Sequence, residues 1–404
     1  MQKTRPNEFI ALVALLTALV AMSIDTMLPA VGQIATELGA VNPNDRQYIV
    51  LGFFAGMMVG TLIFGPISDS VGRKPTVYAG LVFYIAGALV CMFSTSFAVL
   101  IAGRMLQGFG AASPRIVAIA MVRDGAKGAE MARIMSFVMS VFMLVPILAP
   151  SIGQLVLYVA SWRYIFTGFV VAAMIGFVWL AVRQPETLAK EERLPFSIRE
   201  LAHSAGLVIR NPMALGYTVA VGFIFGAFTT YLGTSQQIFA EQYQQGDYFA
   251  LWFGGLAIAI ALAMVANGNF VVRLGMRLIS KWAVIGFIAS WSVMMVFNVI
   301  YSGHPPLPVV GVLFFASFFC SGLLFGNYNA MAMEPMGHIA GMAAAVTGAL
   351  SSLIAVALGT FVGSFYDGTL WPLSIAFLVF GVLAFLCAEW AERGRVLMSQ
   401  KSHA

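Results

Sequence analysis

Long apolar runs alternate with short polar punctuation from one end of the chain to the other. The runs are too long for a half-buried strand and too uniformly apolar for a surface helix with one greasy stripe. A membrane-spanning helix needs roughly 20 predominantly apolar residues, and runs of that kind occur at about 9–31, 47–68, 76–94, 97–122, 132–158, 162–182, 213–235, 249–271, 282–302, 308–332, 340–364 and 370–390. This pattern predicts an all-α polytopic membrane protein with 12 transmembrane helices. The first run is too long for a signal-peptide core and leads into further spans, so it is expected to be retained. The longest charged interruption, Arg183 to Arg210, separates six runs from six. The expected plan is therefore an N-terminal six-helix bundle over 1–185, a linker over 186–210, and a C-terminal six-helix bundle with a short tail over 211–404.

Composition supports this plan: of 404 residues, 60% are hydrophobic and 10% charged, against about a quarter charged in soluble domains. The net charge of +5 would suit a polyanion, but its placement speaks for topology instead. With the N-terminus in the cytoplasm, every basic residue from Lys3 and Arg5 to Lys401 falls inside except Arg46 and Arg163, which lie outside, and Arg104 and Arg115, which lie within a span. Such asymmetry orients a membrane protein, with both termini cytoplasmic here, and gives no reason to expect a nucleic-acid partner. Cys91, Cys320 and Cys387 fall inside apolar runs, so we read them as small buried hydrophobes without a disulfide. No nucleotide loop, Cys/His metal cluster or nucleophile constellation is visible, so we expect no cofactor, no metal and no enzyme.

One polar stretch organises the first half: Gly65-Pro66-Ile67-Ser68-Asp69-Ser70-Val71-Gly72-Arg73-Lys74-Pro75. Gly65 allows close helix approach, Asp69 can accept from backbone N–H groups, Gly72 can take a left-handed turn, and Arg73 and Lys74 hold the loop in the cytoplasm. Gly268, Val272, Gly275 and Arg277 copy the spacing of Gly65, Asp69, Gly72 and Lys74 in the second half, with Val272 where the acid stands. We expect the loop to act as a conformational latch, formed by Gly65, Asp69, Gly72, Arg73 and Lys74 with Arg123 and Asp124. In that role Asp69 would accept from the helix N-terminus near Gly341 to Ala343.

The first span holds the only deeply placed acid, Asp25, followed by Pro29; an intramembrane carboxylate is costly unless it faces water or a partner, so it marks a candidate site. The fourth span reads Arg104-Met-Leu-Gln107-Gly108-Phe-Gly110-Ala111-Ala112-Ser113-Pro114-Arg115, with Arg104 at a depth matching Asp25. Arg104, Gln107, Gly108, Ala111 and Arg115 share one helical stripe, which we expect to line a cavity rather than face lipid. In the fifth span, Val145-Pro146-Ile-Leu-Ala149-Pro150-Ser-Ile-Gly153-Gln154 combines prolines with small residues that allow bending and close packing.

The loop resembles the signature between helices 2 and 3 of the major facilitator superfamily, and R-x-x-Q-G-x-G-A-A resembles the helix 4 motif of its proton-coupled members. With Asp25, Leu28-Pro29, Val122-Arg123-Asp124 and the prolines of the fifth span, the chain looks most like the bicyclomycin/chloramphenicol-resistance (Bcr/CflA) branch of drug:proton antiporters. The resemblance implies two six-helix bundles with a site between them, and a monomer in the bacterial inner membrane. Its function would be export of small drug-like molecules by alternating access, in exchange for protons. Ala149, where the antiporter pattern has glycine before Pro150, keeps open an alternative, a proton-coupled importer or facilitator of a nutrient or metallophore.

Asp25 and Arg104 are the expected proton-coupling pair, and Asp25, Arg104, Gln107, Arg115, Tyr231 and Asn327 the expected substrate contacts. In the second half no acid or base is expected within a span, and Glu334 and His338 are read as solvated.

Overall fold

The computed structural model describes residues 6–195 and 197–402; Lys3 and Arg5 lie outside them, as do the side chains of His338 and Lys401. Among the described residues there is no strand, and 12 helices are long and apolar enough to cross a membrane, one for each expected span. The first span comprises α1 (Pro6–Asp25), a 3-10 turn at Leu28–Ala30 and α2 (Val31–Glu37). It is followed by α3 (Tyr48–Val71), α4 (Arg73–Met92), α5 (Phe97–Gly125), α6 (Gly128–Val159) and α7 (Arg163–Arg183). After α8 (Ile198–Arg210) come α9 (Pro212–Gln236), α10 (Phe249–Leu274), α11 (Met276–Ile300), α12 (Leu307–Met333), α13 (Ala340–Ser364) and α14 (Trp371–Ser402). The chain divides into two compact units, Met1–Ile198 and Arg199–Ala404, a boundary inside the charged segment 186–210.

The first span departs from the uninterrupted run expected over 9–31, because it breaks after Asp25 and continues to Glu37. Pro29 has no N–H to return to the carbonyl four residues back. Met27 N turns to Ile24 O at 3.3 Å instead of reaching Ser23 O. The far end is fixed by Glu37, which accepts from Trp162 Nε1 at 2.7 Å and pairs with Arg163.

In the first unit α5 is the central helix, packed on α3, α4 and α1. Its small residues permit backbone contact on two sides. A Cβ on Gly108 would lie 1.9 Å from Phe53 O of α3, and one on Gly110 would lie 2.2 Å from Tyr84 N of α4. Gly56 of α3 meets Met105 O and Gly60 meets Phe109 O in the same way, which fixes the register of the two helices. In lipid such close contact supplies the dispersion energy that the hydrophobic effect provides in water.

In the second unit α9 packs on α13 and α14, and α12 on α10 and α11. Within the charged interruption, α8 places Leu201, Ala205 and Val208 on one face, against a cluster of Ala214, Met336, Ala343 and Val346. Its opposite face carries the exposed Arg199, Glu200 and His203.

Candidate functional site

Asp25 ends α1 with 5% of its surface exposed, and its carboxyl accepts no hydrogen bond and forms no ion pair among the described residues. Helix α6 supports the break directly: a Cβ on Gly153 would sit 2.0 Å from Thr26 O, the residue after Asp25. The glycine of the fifth span thus has a steric reason, since any side chain there would push α6 away from the acid.

Arg104 is fully buried beside this break, but it does not pair with Asp25. Its Nη2 donates to Ser23 O at 3.1 Å, its Nε to Ile49 O at 2.8 Å and its Nη1 to Gln107 Oε1 at 2.8 Å. The guanidinium lies 4.7 Å from the centre of the Phe53 ring. Ser23 O is the carbonyl that Met27 N has left, so Arg104 satisfies a backbone group freed by the helix break. Ser23 Oγ is also engaged, 2.6 Å from the Tyr84 hydroxyl of α4. Four helices therefore meet at Ser23 and Arg104.

The stripe expected to line a cavity is mostly a packing face. Arg104, Gln107 and Ala111 are fully buried, and Gly108 lies against the Phe53 backbone. The reason is the close approach of α3 and α1, which a helical-wheel argument cannot foresee. Arg115 alone on that stripe is exposed; its Nη1 lies 3.8 Å from Met57 Sδ, a weak acceptor, and it forms no ion pair among the described residues.

At the Gly72 end of the unit the loop residues form a dense cluster. Arg73, only 4% exposed, pairs with Asp69, donates to Asp124 Oδ2 through Nε at 2.8 Å and to Ser68 Oγ through Nη1 at 2.8 Å. Gly72 has φ +116°, which lets α3 pass into α4 through a single residue. Gly65 O accepts from Ser68 Oγ at 2.7 Å, and Asp69 O, rather than its side chain, accepts a backbone N–H, from Leu194 at 3.0 Å.

Two residues exchange helix caps here. Glu186 accepts from Arg73 N at 3.0 Å and Lys74 N at 3.1 Å at the start of α4, while Lys74 Nζ donates to Ala181 O and Gln184 O at the end of α7. An acid at a helix N-terminus and a base at a C-terminus each complement the dipole. Arg123 is exposed and forms no ion pair among the described residues. Glu186 was invisible as a site residue because its partners lie more than a hundred residues earlier; the only local signal is an acid directly after Gln184-Pro185.

In the second unit Gly275, with φ +80°, joins α10 to α11 as Gly72 joins α3 to α4. Val272 is exposed and makes no ionic contact, while Arg277, at the register of Lys74, binds acids as Arg73 does. Its Nε donates to Glu392 Oε1 at 2.9 Å and its Nη2 to Glu334 Oε2 at 2.8 Å, and the Tyr217 hydroxyl donates to Glu392 at 2.7 Å. The absence of charge expected within the second-half spans is thus corrected at one end, where Glu389 closes the expected run and α14 continues past residue 390 and carries Glu392 with it.

Both polar residues singled out in this half are held by neighbours. Asn327 exchanges two amide hydrogen bonds with Asn267, at 3.0 and 2.9 Å. The Tyr231 ring stacks on Phe253 at 5.8 Å and meets Phe318 edge-on at 4.7 Å.

Twelve spans, the paired glycine turns and the Ser23–Arg104 junction define a polytopic carrier fold. The signature of the Major Facilitator Superfamily matches residues 13–360, and the chain belongs to that superfamily. It is similar to the Bicyclomycin resistance protein homolog of Haemophilus influenzae, with 28% identity over 93% of this chain and 95% of that one. It is also similar to Multidrug resistance protein D of Escherichia coli, with 25% identity over 96% of each chain. These relatives agree with the Bcr/CflA resemblance. Among solved structures, that of a D-xylose-proton symporter superposes with a TM-score of 0.74 over 95% of this chain and 97% of that one, at 13% identity, a likeness of fold.

Proposed function

We propose that the chain is a proton-coupled secondary transporter that exports small drug-like molecules across the bacterial inner membrane by alternating access, with both termini in the cytoplasm. The observation that carries this reading is Asp25, a carboxyl 5% exposed at a break in a spanning helix and engaged by nothing among the described residues. A group that no other side chain holds is free to change protonation as water and cargo reach it or leave it. Arg104 then acts through position: it binds Ser23 O, two residues before the acid, and so fixes where the helix opens.

Of the expected cargo contacts, Asp25 and Arg115 remain the candidates, because Arg104, Gln107 and Asn327 already bond to protein groups and Tyr231 sits in an aromatic cluster. The drug-resistance names of the relatives support drug export, and the crowding of basic residues at one set of loop ends supports the orientation. The two units are read as the two bundles, and the Asp69–Arg73–Asp124 cluster as the device that keeps the ends of α3, α4 and α5 together during the cycle.

Proteoliposomes with an imposed pH gradient test the proposal. A drug-tolerance panel supplies the labelled cargo, and Asp25→Asn is expected to abolish gradient-driven movement while leaving exchange at equal pH. Undiminished gradient-driven movement by Asp25→Asn would remove the acid from the mechanism. Ala149 before the buried Pro150 favours keeping the importer reading as the second one, and the sign of the flux in right-side-out vesicles decides between the two.

A further inference from the structure

We infer that the cargo carries an anionic group, a carboxylate or its equivalent, and that Arg115 is the side chain that binds it. This rests on the transport reading above. Between Leu106 and Val122 of α5, Arg115 is the one exposed residue; Leu106, Phe109, Ile116 and Ile119 are half-buried and the others are buried.

The guanidinium lies deep, as the register of α3 against α5 shows. Gly56 stands against Met105 and Gly60 against Phe109, which puts Met57 beside Leu106. The Arg115 backbone is nine residues further along, roughly 13 Å at the rise of an α-helix. Even so, Arg115 Nη1 is 3.8 Å from Met57 Sδ. The side chain must therefore run back along the helix towards Phe97, the direction in which helical side chains lean. That places its charge about level with residues 110–111, near the middle of Phe97–Gly125. It points away from the charged end that carries Arg123, and so does not escape the membrane by snorkelling to that end.

A charge at that depth is costly unless water or an anion meets it. Arg104 shows how the protein treats an arginine that it means to bury: three oxygens within 3.1 Å and an aromatic face. Arg115 has none of these, and its sole polar contact among the described residues is a thioether. Asp25 cannot serve it, since Arg104, which bonds to Ser23, reaches Ile49, seven residues before Gly56. That puts Asp25 on the order of 15 Å away along the helix axis.

An exposed guanidinium with its donors open presents a fork that a carboxylate fits bidentately, whereas a neutral cargo leaves it unpaired and a cationic one is repelled.

The test measures binding in the absence of any gradient, so it stands apart from proton coupling. Purified protein in nanodiscs is titrated with naphthalene-2-carboxylate, naphthalene-2-carboxamide and 2-naphthylmethylammonium, which share one fluorescent ring. The wild type is expected to bind the carboxylate at least tenfold more tightly than the other two. Arg115→Gln should erase that preference while keeping amide affinity within twofold, and Arg115→Lys should keep most of it. Unchanged thermal unfolding of Arg115→Gln checks that the loss is local. Equal affinities, tighter binding of the ammonium, a preference that survives Arg115→Gln, or no binding of any of the three would overturn the assignment. A carboxylate preference in a protein that shows no gradient-driven transport would uphold it and reject only the proton coupling.

Discussion

Replacing Arg104 with methionine leaves a shorter, unbranched apolar side chain and removes every hydrogen bond that Arg104 makes at the break in the first span. The loss involves three donors, to Ser23 O, Ile49 O and Gln107 Oε1, together with the contact to Phe53. Side-chain hydrogen bonds inside membrane proteins average about 0.6 kcal/mol, so three of them set a floor of about 2 kcal/mol. Ser23 O has no helical donor to fall back on, and an unsatisfied buried carbonyl costs about 1–3 kcal/mol. Breaking a buried charged network costs about 3–5 kcal/mol, which sets the ceiling. Thermal unfolding of the detergent-purified protein should therefore fall by on the order of 5–10 °C for Arg104→Met. Arg104→Lys should fall between it and the wild type, because a compact ammonium cannot span three acceptors placed for a fork. Arg115→Met is the control, since it gives up one thioether contact and should unfold within about 2 °C of the wild type. If Arg104→Met unfolds with the wild type, or Arg115→Met loses as much, the junction at Ser23 does not hold the bundle together.

Two other substitutions probe the same unit. Gly153→Ala places a methyl 2.0 Å from Thr26 O and must shift α6 off the break; it is expected to cost about 1–3 kcal/mol and to lower transport at least tenfold, whereas Gly168→Ala, with open space around it, should do neither. Transport as fast as the wild type in Gly153→Ala would show that the contact of α6 with the break is dispensable. Glu186→Gln removes the charge that caps α4 and should lower stability by about 1 kcal/mol at low salt, with the gap closing in high salt; a salt-independent loss would point to packing instead.

What was legible in the chain follows from which forces act locally. Membrane spans are set by the length of an apolar run, so all twelve appear, and the glycine turn at Gly72 with its copy at Gly275 is set by backbone conformation, so both were visible as spacing. The break after Asp25 was half visible: Pro29 announces a lost hydrogen bond, but only the structure shows that Arg104 supplies the replacement donor to Ser23. Nor could local pattern place Glu186 on Arg73 and Lys74, or extend α14 through Glu392, because those charges are tolerated through partners far away in the sequence.

The two arginines of α5 mark the limit most clearly. Arg104 and Arg115 stand on one stripe, eleven residues apart, and helical periodicity gives them the same surroundings. What separates them is α3, which follows α5 closely because Gly56 and Gly60 carry no side chain. At the level of Arg104, α3 contributes Ile49 O and the Phe53 ring, and the arginine becomes a fixed part of the bundle. Near the head of Arg115 it contributes only the thioether of Met57, and the charge stays open. The difference between an arginine held within the bundle and one left open is thus written in the neighbouring helix, in the spacing of glycines whose partners are carbonyls on α5.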